Sequence, residues 1–136
     1  MAVEIDIVYR GELRCEATHG PSKNTVVTDA PVDNGGKGTA FSPTDLVATA
    51  AGTCMLTIMG LVAQRAGQDL NGTRVRVVKE MVADPVRRIG ALTIAISLPP
   101  DRAIAPELRA KLERAAHTCP VTQSLHPDVK VKVTFE

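Results

Sequence analysis

A long segment without any charge constrains this sequence more than any other feature. It runs from Leu46 to Gln64, between Asp45 and Arg65. Its nineteen residues approach the length of about 20 that a membrane-spanning helix needs. However, it contains three threonines and two glycines, and no basic loop or aromatic belt flanks it. A helix that is apolar on all sides and lies outside a membrane is a buried one. We therefore expect a buried central helix and no membrane association.

The ends of this helix are marked by residues that start and stop helices. Ser42 suits the N-cap, Pro43 suits the first helical position, and Asp45 stands where a capping box places its acid. Gly67 is a suitable C-terminal stop. The sequence therefore predicts one long helix that begins at Pro43 and ends just before Gly67.

Alternation of apolar and polar residues predicts strands in the rest of the chain. A second, amphipathic helix is predicted over residues 105–117, and a short third helix follows the dipeptide Cys119-Pro120. The resulting order, βββαββααβ, favours an α+β fold over regular βαβ winding. Because the chain has 136 residues and no repeat or linker, we expect a single domain over residues 1–136. The predicted strands are 3–9, 13–17, 24–29, 73–83, 86–98 and 129–135.

The composition argues against several classes of protein. Sixteen basic and fifteen acidic residues give a net charge of +1, which would not attract nucleic acid or an anionic membrane. One tyrosine, two phenylalanines and no tryptophan leave few rings on which bases could stack. Glu4 and Asp6 stand where a signal peptide would have a basic start. We therefore expect a cytoplasmic protein that does not bind nucleic acid.

The three cysteines do not form a recognisable framework. Their number is odd and no C-x-x-C pair is present, which argues against structural disulfides and a standard zinc site. Cys15 shares a strand face with apolar neighbours, which is typical of a buried structural cysteine. Cys119 precedes Pro120, and a helix N-cap favours a thiolate. Sequence spacing does not show whether Cys54 and Cys119 meet, so core cysteines and a reactive pair both stay open.

Two other motifs point only weakly to ligands. His117 and His126 could join Cys119 in a metal site, but the three lack a fixed local spacing. A histidine at a helix end and a His-Pro turn explain them more simply. The loop from Gly35 to Gly38 lacks the lysine-serine pair of a phosphate-binding loop. We therefore expect no metal and no cofactor.

Three stretches together resemble the OsmC/Ohr family, the osmotically inducible protein C and organic hydroperoxide resistance proteins. They are SPTDLVATAAGTC at 42–54, KEMVADPVRRIGALTIAISLP at 79–99 and HTCPVTQSL at 117–125. The resemblance covers essentially the whole chain. It implies an intertwined homodimer in which antiparallel sheets surround long central helices. Such a dimer would also bury the uncharged helix.

The resemblance also implies an activity. Members of this family are thiol-dependent peroxidases that reduce organic hydroperoxides, and hydrogen peroxide less well, without metal or haem. By resemblance, Cys54 is the peroxidatic cysteine and Cys119 the resolving one. A sulfenic acid at Cys54 would condense with Cys119 to a disulfide. A dithiol would then restore both thiols, as lipoyl-type dithiols do in the best-studied branch.

The groups that would assist Cys54 match the family pattern less closely. In the hydroperoxide resistance branch an arginine near the first hairpin turn pairs with a glutamate early in the central helix. Thr44 stands in the place of that glutamate, so Asp45 beside it is the candidate acid. Arg10 is the best match for the arginine, and three substitutes stay open: Arg14, Arg87 and Arg88.

The surroundings of Cys54 suggest a preference for organic peroxides. An apolar pocket around the thiol would come from Met55, Ile58, Met59 and Leu61 or from the same residues of a second subunit. The alternatives are a redox-sensing or small-ligand-binding protein with little turnover, and a structural dimer whose cysteines are core residues.

Overall fold

The computed structural model of the protein describes residues 1–136. The predicted order of elements is confirmed, with one 3₁₀ turn at Val32–Asn34 in addition, and the fold is α+β. The chain divides into two compact units, Met1–Leu46 and Val47–Glu136, and the single domain stays a prediction. The strands are β1 (Ile5–Gly11), β2 (Arg14–His19), β3 (Thr25–Asp29), β4 (Arg74–Val82), β5 (Arg88–Ser97) and β6 (Lys130–Phe135), and the helices are α1 (Pro43–Arg65), α2 (Pro106–Ala116) and α3 (Pro120–Gln123).

The first unit contains an antiparallel sheet in the order β1-β2-β3. Its apolar side chains alternate as the sequence predicts, but they remain largely exposed. Ile5 is 58% exposed, Ile7 66% and Tyr9 62%. Cys15 pairs with Tyr9 on one side and with Thr28 on the other. This sheet therefore presents an uncovered apolar surface.

Helix α1 begins where the sequence predicts, with a complete capping box. The Asp45 backbone N–H donates to Ser42 Oγ at 3.1 Å, and the Ser42 N–H donates to the Asp45 carboxylate at 2.9 Å. Gly67 ends the helix with a φ of 73°, in the left-handed region that favours glycine. Both predicted boundaries are confirmed.

The burial of α1 is one-sided within the chain. The buried residues lie along one face, and Leu61 on another is 43% exposed. Helix α1 is long and apolar enough to cross a membrane. This is weak evidence for a membrane span, because the core helix of a soluble protein also has that length and composition. Its buried residues are Ala48, Ala51, Gly52, Met55, Met59 and Ala63.

The second sheet has the order β4-β5-β6 and is mixed. Strands β4 and β5 are antiparallel, whereas β6 runs parallel to β5, with Ile94 opposite Val133. The β5–β6 pair is the one departure from the antiparallel sheets that the resemblance implies. The physical reason is the connection, since α2 and α3 lie between β5 and β6 and a helical crossover returns the chain in the same direction.

The core of the second unit lies between this sheet and the helices. Alternate residues of β5 are fully buried, namely Leu92, Ile94 and Ile96. They join Met55 and Met59 of α1 and Leu112 of α2 in one apolar cluster, which also contains Cys119. The core therefore fixes both the middle of α1 and the segment that carries the last cysteine.

Candidate functional site

Cys119 lies at a break between two helices. Helix α2 ends at Ala116, and Cys119 is the N-cap of α3 with Pro120 at the first helical position, as the sequence predicts. The Gln123 N–H donates to the Cys119 carbonyl at 3.1 Å, which starts the short helix. Cys119 is 0% exposed. The α2–α3 break therefore holds this thiol inside the core.

Folding brings Cys54 and Cys119 together. The Cys119 Sγ lies 3.9 Å from the carbonyl oxygen of Ala51, which is one helical turn before Cys54. The pKa of each thiol depends on a hydrogen bond with the other. Two thiols that are far apart in sequence therefore lie close enough, at α1 and the α2–α3 break, to shift each other's pKa.

The pKa of Cys54 is raised above that of an ordinary thiol. Burial is the largest cause, because a charged sulfur is poorly solvated there, and the hydrogen bond with Cys119 adds to it. The backbone N–H of Val121 opposes these effects by stabilising the thiolate. In this conformation Cys54 therefore favours its protonated form.

The pKa of Cys119 is shifted in the opposite direction. Burial alone would raise it, but hydrogen bonds from Cys54 and from the backbone and side chain of Thr122 together outweigh burial and lower it. The Cys119 thiol can donate to Ala51 only while it is protonated, and 3.9 Å makes that a long contact. When the pair loses its first proton, the negative charge therefore belongs mainly to Cys119.

Accessibility separates the two thiols as well. Cys54 is half-buried, whereas Cys119 is buried completely. A peroxide that approaches from solvent can therefore reach Cys54, and it can reach Cys119 only through a rearrangement.

Arg10 and Asp45 have partners within the first unit. Arg10 Nη2 lies 3.5 Å from a carboxylate oxygen of Glu16, and its side chain is 57% exposed. Asp45 closes the capping box with Ser42. Of the substitute arginines, Arg88 donates to the carbonyl of Ile89 at 3.5 Å. The assisting role of these residues stays a prediction.

The histidines have neighbours of their own. The His117 ring lies edge-on to Phe135, with 6.4 Å between ring centres. His126 Nδ1 accepts a hydrogen bond from the Asp128 backbone N–H at 3.0 Å, which forms the expected turn. No group of three or more His, Cys, Asp or Glu side chains could hold a metal ion.

A cavity of about 470 Å³ lies between α1 and α2. We call it the cationic groove. Ile58 and Leu61 line it, but Cys54 does not, so the predicted apolar pocket around that thiol stays a prediction. Met55 and Met59 are 1% and 0% exposed in the core. Its other lining residues are Val62, Arg65, Lys111, Arg114, Ala115 and Thr118.

Several residues around the thiols were not singled out in the sequence. Val121 and Thr122 contact the thiols through their backbone N–H groups, and Ala51 through its carbonyl oxygen. The position of Val121 and Thr122 just after an N-cap cysteine was an available signal, since the first N–H groups of a helix face its cap. Ala51 gave none.

Comparisons with known proteins agree on one family. The family model described as OsmC-like protein matches residues 36–134. No curated protein sequence matches the chain significantly. A solved structure from Psychrobacter arcticus 273-4, to which an osmotic stress-induced and detoxification response role has been ascribed, is 45% identical. It has a TM-score of 0.90, and the match covers 97% of this chain and 94% of that one.

More distant solved structures share the fold. The organic hydroperoxide resistance protein OsmC of Legionella pneumophila is 17% identical with a TM-score of 0.77, covering 100% of this chain and 97% of its own. The organic hydroperoxide resistance protein OhrB of Bacillus subtilis is 18% identical with a TM-score of 0.70, covering 100% and 98%. At this identity the likeness shows the fold alone.

Proposed function

The chain belongs to the OsmC-like family, and we propose that it is a cysteine-based peroxidase that reduces organic hydroperoxides, and hydrogen peroxide less well. The observation that carries this proposal is the placement of the accessible Cys54 against the buried Cys119. A peroxidase that resolves its own sulfenic acid needs one thiol that substrate can reach and a second thiol beside it.

The first step takes place at Cys54. Its thiolate sulfur attacks the terminal oxygen of the hydroperoxide, the O–O bond breaks, and the alkoxide takes up a proton and leaves as the alcohol. The sulfur is oxidised to a sulfenic acid while the peroxide is reduced by two electrons. Because burial and Cys119 raise the pKa of Cys54, we expect this step to accelerate as the pH rises.

The second step takes place at Cys119, where hydrogen bonds from Thr122 favour the thiolate. The Cys119 thiolate attacks the Cys54 sulfenic sulfur, an S–S bond forms, and the hydroxyl leaves as water after protonation. A dithiol donor, for which we propose the lipoyl type, then reduces the protein disulfide and becomes a disulfide itself. The net reaction converts hydroperoxide and dithiol into alcohol, water and the oxidised donor.

The assembly and the compartment are part of the proposal. A homodimer would cover the exposed apolar residues of β1 and the uncovered face of α1. All three cysteines are free thiols, which suits the reducing cytoplasm. In such a dimer Arg10 would supply the positive charge that favours the Cys54 thiolate, with Asp45 as the candidate orienting acid.

The test is mass spectrometry after one equivalent of cumene hydroperoxide. We expect rapid loss of two thiols per subunit, and we expect digestion to yield peptides joined by a disulfide between Cys54 and Cys119. Cys54→Ser should abolish peroxide consumption, and Cys119→Ser should let Cys54 proceed to sulfinic acid. Cys15→Ser is the matched control and should behave as the unaltered protein. Peroxide consumption that persists in Cys54→Ser would contradict the assigned nucleophile.

A redox sensor is the second candidate, and the raised pKa of Cys54 favours it. A thiol that is mostly protonated at neutral pH reacts slowly, which suits occasional oxidation better than sustained turnover. Steady-state consumption of hydroperoxide with excess dihydrolipoamide separates the two functions. A sensor would form the disulfide once and then stop, whereas a peroxidase would continue until one substrate is exhausted.

A further inference from the structure

Two threonines lie on either side of Cys119 in the α2–α3 break, and the hydroxyl of each donates to a backbone carbonyl. Thr118 Oγ1 donates to the carbonyl of Ala115 at 2.7 Å. Thr122 Oγ1 donates to the carbonyl of Cys119 itself at 3.0 Å, in a partly buried position. Threonine hydroxyls commonly bond to a carbonyl three or four residues earlier in a helix. The Thr122 hydroxyl differs from that of Thr118 because its acceptor belongs to the cysteine of the site.

The Thr122 hydroxyl has a second acceptor within reach, which is the sulfur of Cys119. A hydrogen bond from the Thr122 side chain favours the charged form of this sulfur and lowers its pKa, in addition to one from the Thr122 backbone N–H. A hydroxyl has one proton to donate, so it cannot fully serve the carbonyl and the sulfur at the same time. Two acceptors of Cys119 therefore compete for one donor.

The Cys119 carbonyl can release this donor and remain hydrogen-bonded. The Gln123 backbone N–H also donates to it, at 3.1 Å. Rotation of the Thr122 hydroxyl away from the carbonyl therefore leaves no buried acceptor without a partner. The sulfur needs the donor more once it ionises, because a buried charge without hydrogen bonds is strongly unfavourable. The charge on the sulfur therefore decides which acceptor the hydroxyl serves.

Ionisation also ends the contact between Cys119 and α1. The Cys119 Sγ lies 3.9 Å from the Ala51 carbonyl oxygen and can donate to it only while it is protonated. A thiolate and a carbonyl oxygen are both acceptors, so they repel each other once the proton has left. Loss of the proton therefore frees the sulfur from Ala51 in the same event that attracts the Thr122 hydroxyl.

We propose that Thr122 is a positioning residue for Cys119, whose hydroxyl donates to the Cys119 carbonyl while the sulfur carries a proton and rotates to the sulfur when that proton leaves for the solvent. This inference rests on the proposed function, in which the Cys119 thiolate attacks the sulfenic sulfur of Cys54. The hydroxyl then holds the thiolate after it leaves Ala51 and increases the ionised fraction. Among the groups that govern this ionisation, Cys54 on α1 is the titratable one, so the test removes it.

The test measures the ionisation of Cys119 without any peroxide. A protein with Cys15→Ser and Cys54→Ser keeps Cys119 as its single cysteine, and carbon-13 labelling of cysteine reports the Cβ and carbonyl resonances during a pH titration. We expect Thr122→Val to raise the midpoint of the Cβ titration by about one pH unit, because the thiolate loses a hydrogen bond. Thr122→Ser retains a hydroxyl and should retain the midpoint.

The carbonyl resonance tests the rotation of the hydroxyl. With Thr122 present, this resonance should move at the same pH as the Cβ resonance, and by more than in Thr122→Val, which has no hydroxyl to withdraw. Equal carbonyl changes in both proteins, or an unshifted midpoint in Thr122→Val, would overturn the inference. Thr118→Val is the matched control and should leave the midpoint unchanged. An equal shift in Thr118→Val would also overturn it, because the effect would then belong to hydroxyl loss in general.

The rate of disulfide formation connects the titration to the reaction. After one equivalent of cumene hydroperoxide, Thr122→Val should form the Cys54–Cys119 disulfide about ten-fold more slowly at a pH below both midpoints, because one pH unit corresponds to a ten-fold smaller thiolate fraction. Thr122→Ser should restore the rate, and an unchanged rate in Thr122→Val would refute the positioning role. If no hydroperoxide oxidised the protein, the proposed peroxidase would fail, whereas the titration would still decide on Thr122.

Discussion

The close approach of α1 to β4 makes Gly52 the most informative position for a stability measurement. A Cβ atom at Gly52 would lie 2.8 Å from a methyl carbon of Val77 and 3.4 Å from one of Val75. The first distance is shorter than carbon atoms tolerate, and both valines belong to a strand of the core sheet. Gly52→Ala must therefore displace the Val77 side chain, the helix or the strand.

Two effects of known size decide the outcome. Overpacking of a core lowers the free energy of unfolding by about 1–3 kcal/mol. Replacing a helical glycine by alanine raises it by about 1 kcal/mol. We therefore expect Gly52→Ala to lower the free energy of unfolding by up to about 2 kcal/mol. Gly60→Ala, in the same helix with no atom within 4 Å of the added Cβ, should raise it by about 0.5–1 kcal/mol.

Urea unfolding followed by circular dichroism, at one fixed protein concentration, measures both variants. A Val77→Ala change should relieve part of the cost of Gly52→Ala, so the double variant should be more stable than additivity predicts. If Gly52→Ala were as stable as Gly60→Ala, the proposed contact between helix and strand would be wrong. A clash at Gly60→Ala would show that another surface covers that face of α1.

Three further perturbations follow from the hydrogen bonds. Cys119→Ser removes a partner that raises the pKa of Cys54, so the pH profile of iodoacetamide alkylation at Cys54 should move to lower pH; an unmoved profile would contradict the coupling. Asp45→Ala removes the capping box acid and should cost about 0.5–2 kcal/mol in urea unfolding, and undiminished stability would contradict its capping role. Hydrogen bonds from Thr39 lower the pKa of the buried Asp29 below 3.8, so its contribution is present above that value and is lost as the pH falls through the folded pKa. Asp29→Asn should therefore flatten the acid side of the stability profile, and an unchanged slope there would refute this account.

Local signals in the sequence were sufficient to predict the elements. The capping residues fixed the start of α1, alternation located the six strands, and the Cys119-Pro120 dipeptide marked the N-cap of α3. Each of these signals acts within a few residues, where propensity and capping dominate. The fold class followed from their order.

The direction in which α1 faces could not be predicted in the same way. Its residues are apolar on all sides, so no polar face marks the side that is exposed to solvent. The sequence pattern therefore does not predict which face of the helix is buried. Met55 and Met59 therefore looked equivalent to Ile58 and Leu61, although the first pair fills the core and the second lines the groove. The parallel pairing of β6 and the contact between Cys119 and Ala51 are likewise long-range outcomes of packing.

The exposed β1–β3 sheet has a consequence for hydrogen exchange. A sheet with few buried side chains opens at a low free energy, so its backbone amides exchange quickly unless another surface holds it closed. The amides of Ile7 and its neighbours should therefore gain protection as the protein concentration rises, if a second copy is that surface. The exchange rate of one strand would then report on assembly, while the β4–β6 amides serve as an internal reference.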